Sequence, residues 1–205
     1  DLAALSSPGL TGARVAVLEA LEALCTGDPA LAAATLGIGS TQLDLVDLNA
    51  GLRTAPTARA DAIYTGVLYD ALDFAGLSAA ARRRATSRVM VTSSLFGVVR
   101  PDDRIPSYRL SGDTTLPGLG PVAGVWREHL GDAVLDALGS GLLIDLRSTS
   151  YAAFWRPSAE VARQVATVRV LHEVDGVRKV VSHFNKATKG RIVRSEEHTS
   201  ELQSH

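Results

Sequence analysis

Six basic side chains, Arg178, Lys179, Lys186, Lys189, Arg191 and Arg194, fall inside one stretch, RKVVSHFNKATKGRIVR, that contains no acidic residue. A block of this kind neutralises phosphates and draws a polyanion toward the surface. An ordinary solvated helix face explains it too, although such faces normally intersperse carboxylates. A second feature offers another chemistry for the same ligand. ALAAATLGIGSTQLDLVDL sets Gly37 and Gly39 between two helical patterns, the form of a helix-hairpin-helix DNA-binding element. Without a Cβ, the two glycines let backbone approach a phosphate, and free N–H groups opening the next helix donate to it. A tight helical corner with two glycines accounts for the same letters. LPGLGPVAGVW, Leu116 to Trp126, repeats the turn, but RLSGDTT before it has no helical period, so the first arm is missing. Arg82, Arg83, Arg84 and Arg88 form another cluster, on a helical pattern where solvation is explanation enough.

Catalytic constellations are sparse. His129, His172 and His183 lack the short paired spacing of a zinc site, and no G-x-S-x-G elbow or Walker-type loop occurs, so neither metal nor cofactor is expected. Asp145 and Arg147 lie two apart in LLIDLRS, on one face of a strand at its carboxyl end, where α/β sites form; an internal ion pair fits equally. The single cysteine, Cys25, sits in LEALEALC as a small buried residue, with no basic neighbour to activate it. The alternative to nucleic-acid binding is an enzyme in which a desolvated lysine such as Lys186 attacks an aldehyde carbon to form a Schiff base. An RNA surface would need stacking platforms, and Phe184 is the one aromatic residue in the basic block.

These residues must be positioned by one domain, since 205 residues at 46% hydrophobic suffice for a single sizeable core. No run nears the roughly 18 apolar residues of a membrane span, and DLAALSSPGL lacks the basic end of a signal peptide, so a cytoplasmic protein is expected. Helical periods cover Leu10 to Cys25 and Pro29 to Leu36, then a third helix from Ser40 as N-cap through Leu48. TGVLYDALDF, LSAAARRRATS and GPVAGVWREHLGDAVLDAL predict three more. RVMVTS and LLIDLRS predict strands, GVVRPDDRIPSYRL a proline-broken loop, and ATVRVLHEV, Asp175-Gly176 and VRKVVSHF a β-hairpin with a type I′ turn. The class is α+β. The last residues, RSEEHTSELQSH, break the Ala/Leu/Val/Arg composition and coincide with the in-frame translation of a common sequencing-library adapter. Ser195 to His205 are therefore expected to be non-native, the domain spanning residues 1–194. Without Glu196, Glu197 and Glu201 the formal charge moves from −1 to +2.

YTGVLYDAL, SLFGVVRPDDRIPSYRL, VWREHL, LIDLRSTSY and VVSHFNKATKGRIVR occur in that order and together resemble the peroxide-stress protein YaaA family. The block with Gly97, Arg100, Pro101, Tyr108 and Arg109 is the most specific part. The resemblance implies a single α+β domain of the "cantaloupe" fold, with a mixed sheet surrounded by helices, that binds double-stranded DNA through a positively charged cleft and a helix-hairpin-helix. It implies protection against hydrogen peroxide by limiting free intracellular iron and DNA damage, with no established reaction. Gly37, Gly39, Arg100, Arg109, Lys186, Lys189, Gly190, Arg191 and Arg194 are the DNA-binding positions expected on this basis together with the glycine turn and the basic block. Relatives carry further segments before and after the matching part, so a truncated domain is expected.

Overall fold

The computed structural model describes residues 1–39, 41–174, 177–179 and 182–202. Helix α1, Thr11–Cys25, buries Ala13, Val17, Leu18, Leu21, Leu24 and Cys25 along one stripe. That spacing of three and four residues is what puts them on one face. Arg14 shares this face and is fully buried. Its guanidinium is tolerated because it donates to the carbonyls of Ser6 (2.7 Å), Phe96 (3.0 Å) and Val98 (2.9 Å). One arginine thus ties the amino-terminal segment to the central hairpin, and α1 becomes the post around which the rest is built.

Two short helices follow. α2, Pro29–Leu36, starts where Asp28 accepts the Ala30 N–H at 2.9 Å and proline occupies the first turn; it stops at Gly37, whose φ of +61° few other residues adopt. α3, Asp44–Ala50, begins later than the sequence pattern suggests, and Ser40, the expected cap, lies outside the described residues. α4 (Ala60–Ile63), α5 (Val67–Leu72) and α6 (Ala79–Arg88) lead into the centre of the fold. α6 lies within the stretch the sequence predicts, and Ser78 caps it by accepting the Ala81 N–H at 3.2 Å.

The strands are short and pair two by two. β1, Thr57–Arg59, lies antiparallel to β4, Arg104–Pro106; β2, Val91–Ser93, to β3, Gly97–Val99; and β5, Thr115–Leu116, to β6, Gly120–Pro121. α7, Val122–Leu138, covers the β2–β3 hairpin with Trp126, fully buried, its indole N–H donating to the Ser94 carbonyl at 2.7 Å. Gly97 is required there. Its φ is +77°, and a Cβ would come within 2.7 Å of the Trp126 ring. β7, Leu143–Asp145, runs parallel to β8, Val165–Thr167, with α8, Thr149–Ala152, between them. β9, His172–Val174, and β10, Val177–Lys179, pair antiparallel as the innermost part of the expected hairpin, while Ala166 and Thr167 belong to β8 and Ser182–Phe184 open a helix; the Asp175-Gly176 turn itself lies outside the described residues. α9, Ser182–Leu202, then packs along α5 and touches α6.

The α+β class holds, the described strands forming five two-stranded ladders, one parallel and four antiparallel. Two of those strands, β3 and β4, come from the stretch expected to be a proline-broken loop. The second glycine-turn motif, around Leu116 to Trp126, is the β5–β6 hairpin followed by α7 and has no first helix.

Candidate nucleic-acid interface

The carboxyl-terminal basic block divides into residues that hold the fold and residues that face solvent. Lys189 is 7% exposed, and its ammonium donates to the carbonyls of Leu146 (3.0 Å) and Arg147 (3.2 Å). Burial pushes its pKa down, while the charge of Asp145 pulls the other way. The lysine withdrawn from water is therefore Lys189. Lys186, expected in that role, is exposed because α9 meets its neighbours through Lys189 and Gly190 one turn later. Gly190 is the crossing point of α9 over α5, where a Cβ would collide with the Leu68 carbonyl oxygen and lie 3.0 Å from Ala71 Cβ. Arg194 closes the carboxyl end of α5, donating to the carbonyls of Leu72 (2.9 Å) and Asp73 (2.8 Å) and pairing with the Asp73 carboxylate at 3.0 Å. Lys186 and Arg191 remain, both exposed.

Helix α6 carries Arg82, Arg83 and Arg88 as exposed residues beside this helix. No acid occurs between Ala79 and Arg88, nor between Ser182 and Arg194. A groove of about 760 Å³ reaching α6 is lined by Arg83, Arg100 and Arg104 but also by Asp1, Asp102 and Asp103. Its charges offset one another. Arg100 is committed in any case, since its guanidinium donates to the carbonyls of Ser87 (2.6 Å) and Val89 (3.4 Å) at the end of α6.

The glycine turn is flanked by two helices, as the pattern predicts. Gly37 caps α2, with the Ile38 N–H returning to the Ala33 carbonyl at 2.9 Å, and Gly39 is exposed. The first turn of α3, however, holds Asp44 and Asp47. Carboxylates there favour the helix through its dipole but repel a phosphate arriving at the same N–H groups. This geometry is that of a helical corner.

Asp145 and Arg147 form a largely buried pair, joined at 2.8 Å, whose guanidinium also donates to the Trp155 carbonyl at 3.0 Å and stacks over the Trp155 ring at 5.6 Å. Burial alone would raise the Asp145 carboxyl, but the hydrogen bonds and charge of Arg147 hold it below the usual carboxylate range. Among the described residues no group of three or more His, Cys, Asp or Glu converges on a metal-sized site, and no helix is long and apolar enough to cross a membrane.

A gathering of tyrosines has no signature in the order of residues. Tyr64 follows α4, Tyr69 lies on α5, Tyr108 follows β4 and Tyr151 lies on α8, yet Tyr64 stacks on Tyr69 with ring centres 5.6 Å apart and meets Tyr108 edge-on at 6.4 Å. The Tyr108 hydroxyl is 2.8 Å from Ser93 Oγ and 3.1 Å from the Tyr64 hydroxyl. Arg109 next to it is exposed, with its peptide N–H and carbonyl both bound by the buried Asn49, at 2.8 and 2.7 Å.

Comparison with known proteins places these features. A UPF0246 protein of Streptomyces coelicolor is 56% identical over 191 residues, covering 93% of this chain and 73% of that protein. One from Corynebacterium efficiens is 42% identical over 196 residues, covering 95% and 76% respectively. The family model described as peroxide stress protein YaaA matches residues 6–200. A match over nearly the whole chain, together with relatives this similar over most of their length, means that the chain belongs to the peroxide stress protein YaaA family.

Proposed function

We propose that the chain serves the peroxide stress response by binding double-stranded DNA through the solvent face of α6 and the first half of α9, covering the duplex and limiting iron-dependent damage to it. One observation carries the reading: two neighbouring helical stretches bear eight Lys and Arg residues with no acid among them, and Arg83, Arg88, Lys186 and Arg191 are exposed. Such a face neutralises successive phosphates without reading bases. Lys189, Gly190, Arg194 and Arg100 support it from behind by fixing the two helices. The acids of α3 argue that the duplex approaches α6 and α9 rather than the glycine corner.

Each phosphate contact contributes a slope of about −0.9 in log affinity against log salt. Titrating a fluorescent duplex across salt concentrations, Lys186→Ala with Arg191→Ala is expected to weaken binding to every sequence alike and to make the slope shallower by up to about 2. Asp44→Asn with Asp47→Asn is expected to change neither. If the basic pair left affinity and slope intact while the acidic pair tightened binding, the interface would lie at the corner instead.

A further inference from the structure

Every tyrosine of this chain lies in one place, and the place is not closed. Tyr64, Tyr69, Tyr108 and Tyr151 are all only half-buried. Tyr151 rests against Phe154, with ring centres 5.2 Å apart, and over Gly112, where a Cβ would come within 3.3 Å of its ring. The hydroxyls of Tyr64 and Tyr108 are engaged with each other and Ser93. That of Tyr69 has no hydrogen-bond partner among the described residues, though burial raises the pKa of its phenol and Tyr108 and Tyr151 both bear on it. The guanidinium of Arg109 is likewise exposed, with no hydrogen bond or ion pair among the described residues. Arg109 follows Tyr108 directly in the chain, and its charge bears on the Tyr151 phenol.

Phenol faces accept a planar ring, phenol hydroxyls meet its carbonyl or ring-nitrogen acceptors, and a guanidinium takes a phosphate. We propose that this cluster binds a nucleoside monophosphate unit, its base laid against the tyrosine rings and its phosphate on Arg109. The unit is the same whether it comes as a free nucleotide or within an unpaired stretch of nucleic acid. The phenols of Tyr64, Tyr69 and Tyr151 are held neutral by burial and remain donors across the physiological range. None of its residues is among the exposed basic residues of α6 and α9, and its test does not depend on duplex binding.

Isothermal titration of the full chain with AMP, adenosine, inorganic phosphate and a short unpaired deoxyadenosine oligonucleotide tests it. AMP or the oligonucleotide is expected to bind saturably and more tightly than adenosine. Arg109→Met is expected to weaken AMP about tenfold, to the level of adenosine, as loss of one charge-assisted contact requires. Tyr69→Phe, which keeps the ring, is expected to weaken AMP and adenosine alike, with thermal unfolding checking that both variants are folded. Tighter AMP indicates a free nucleotide as the source, and a tighter oligonucleotide indicates an unpaired strand. Lys186→Ala with Arg191→Ala should leave AMP binding unchanged, so a failed duplex experiment and a failed nucleotide experiment are told apart. The proposal is overturned if neither AMP nor the oligonucleotide binds, if both site variants bind like the parent, or if inorganic phosphate displaces AMP while adenosine does not bind.

Discussion

Asp145 and Arg147 show what one pair of residues reveals and what it hides. Their spacing on a strand placed them on one face, and in the fold they close on each other. The pair therefore has a readable dependence on pH. In the folded chain Asp145 ionises below its unfolded value of about 3.9, so its contribution is complete above that pH and is lost as pH falls through the lower, folded value. Unfolding measured at a series of acidic pH values should show the parent losing stability below about pH 4, with Asp145→Asn giving a flatter acid limb and a lower plateau at neutral pH. Asn49 was invisible by comparison. Its side chain imitates a strand partner for Arg109, sixty positions away, and nothing local in an asparagine announces a distant peptide as its ligand. Lys189 was misjudged for a similar reason, because charge in a sequence says nothing about which ammonium will find carbonyls.

Helices were legible wherever a capping residue and an apolar stripe agreed: α2 has the bounds its Asp28, Pro29 and Gly37 dictate, and α6 begins after Ser78. The three-residue strands β1 and β4 were not, since each is defined by a partner some forty-five positions away and neither has room to display an alternation. The crossing of α5 and α9 was hidden in the same way. Gly190 was expected among the DNA-binding positions and is where another helix approaches. Gly190→Ala sets two effects against each other. Alanine favours a helix interior by up to about 1 kcal/mol over glycine, whereas forcing a methyl into a filled contact costs about 1–3 kcal/mol. The clash wins here because it falls on the Leu68 backbone, which cannot rotate away. A lowered midpoint in denaturant unfolding is the expected result, with Gly131→Ala, where a Cβ meets nothing within 4 Å, showing no such loss.

At the scale of the whole molecule, family and class could be read from the order of five motifs, while the tyrosine cluster could not, because it assembles four segments that only the completed fold brings together. The boundary of the domain belongs to this scale as well. Lys189, Gly190 and Arg194, all before Ser195, hold α9 to its neighbours. We propose that Ser195 to His205 are a non-native extension, and deleting them is expected to leave the melting temperature and duplex affinity unchanged; a marked drop in either would show that the segment belongs to the fold. The gathering of the phenols has one more consequence, for optics rather than for binding. In a chain whose four tyrosines occupy a single neighbourhood, near-ultraviolet phenol absorption stops being an average over the molecule and becomes a probe of one spot. A ligand settling there, or a strand of the fold loosening there, changes the only tyrosine signal there is, so the protein carries its own reporter without a label.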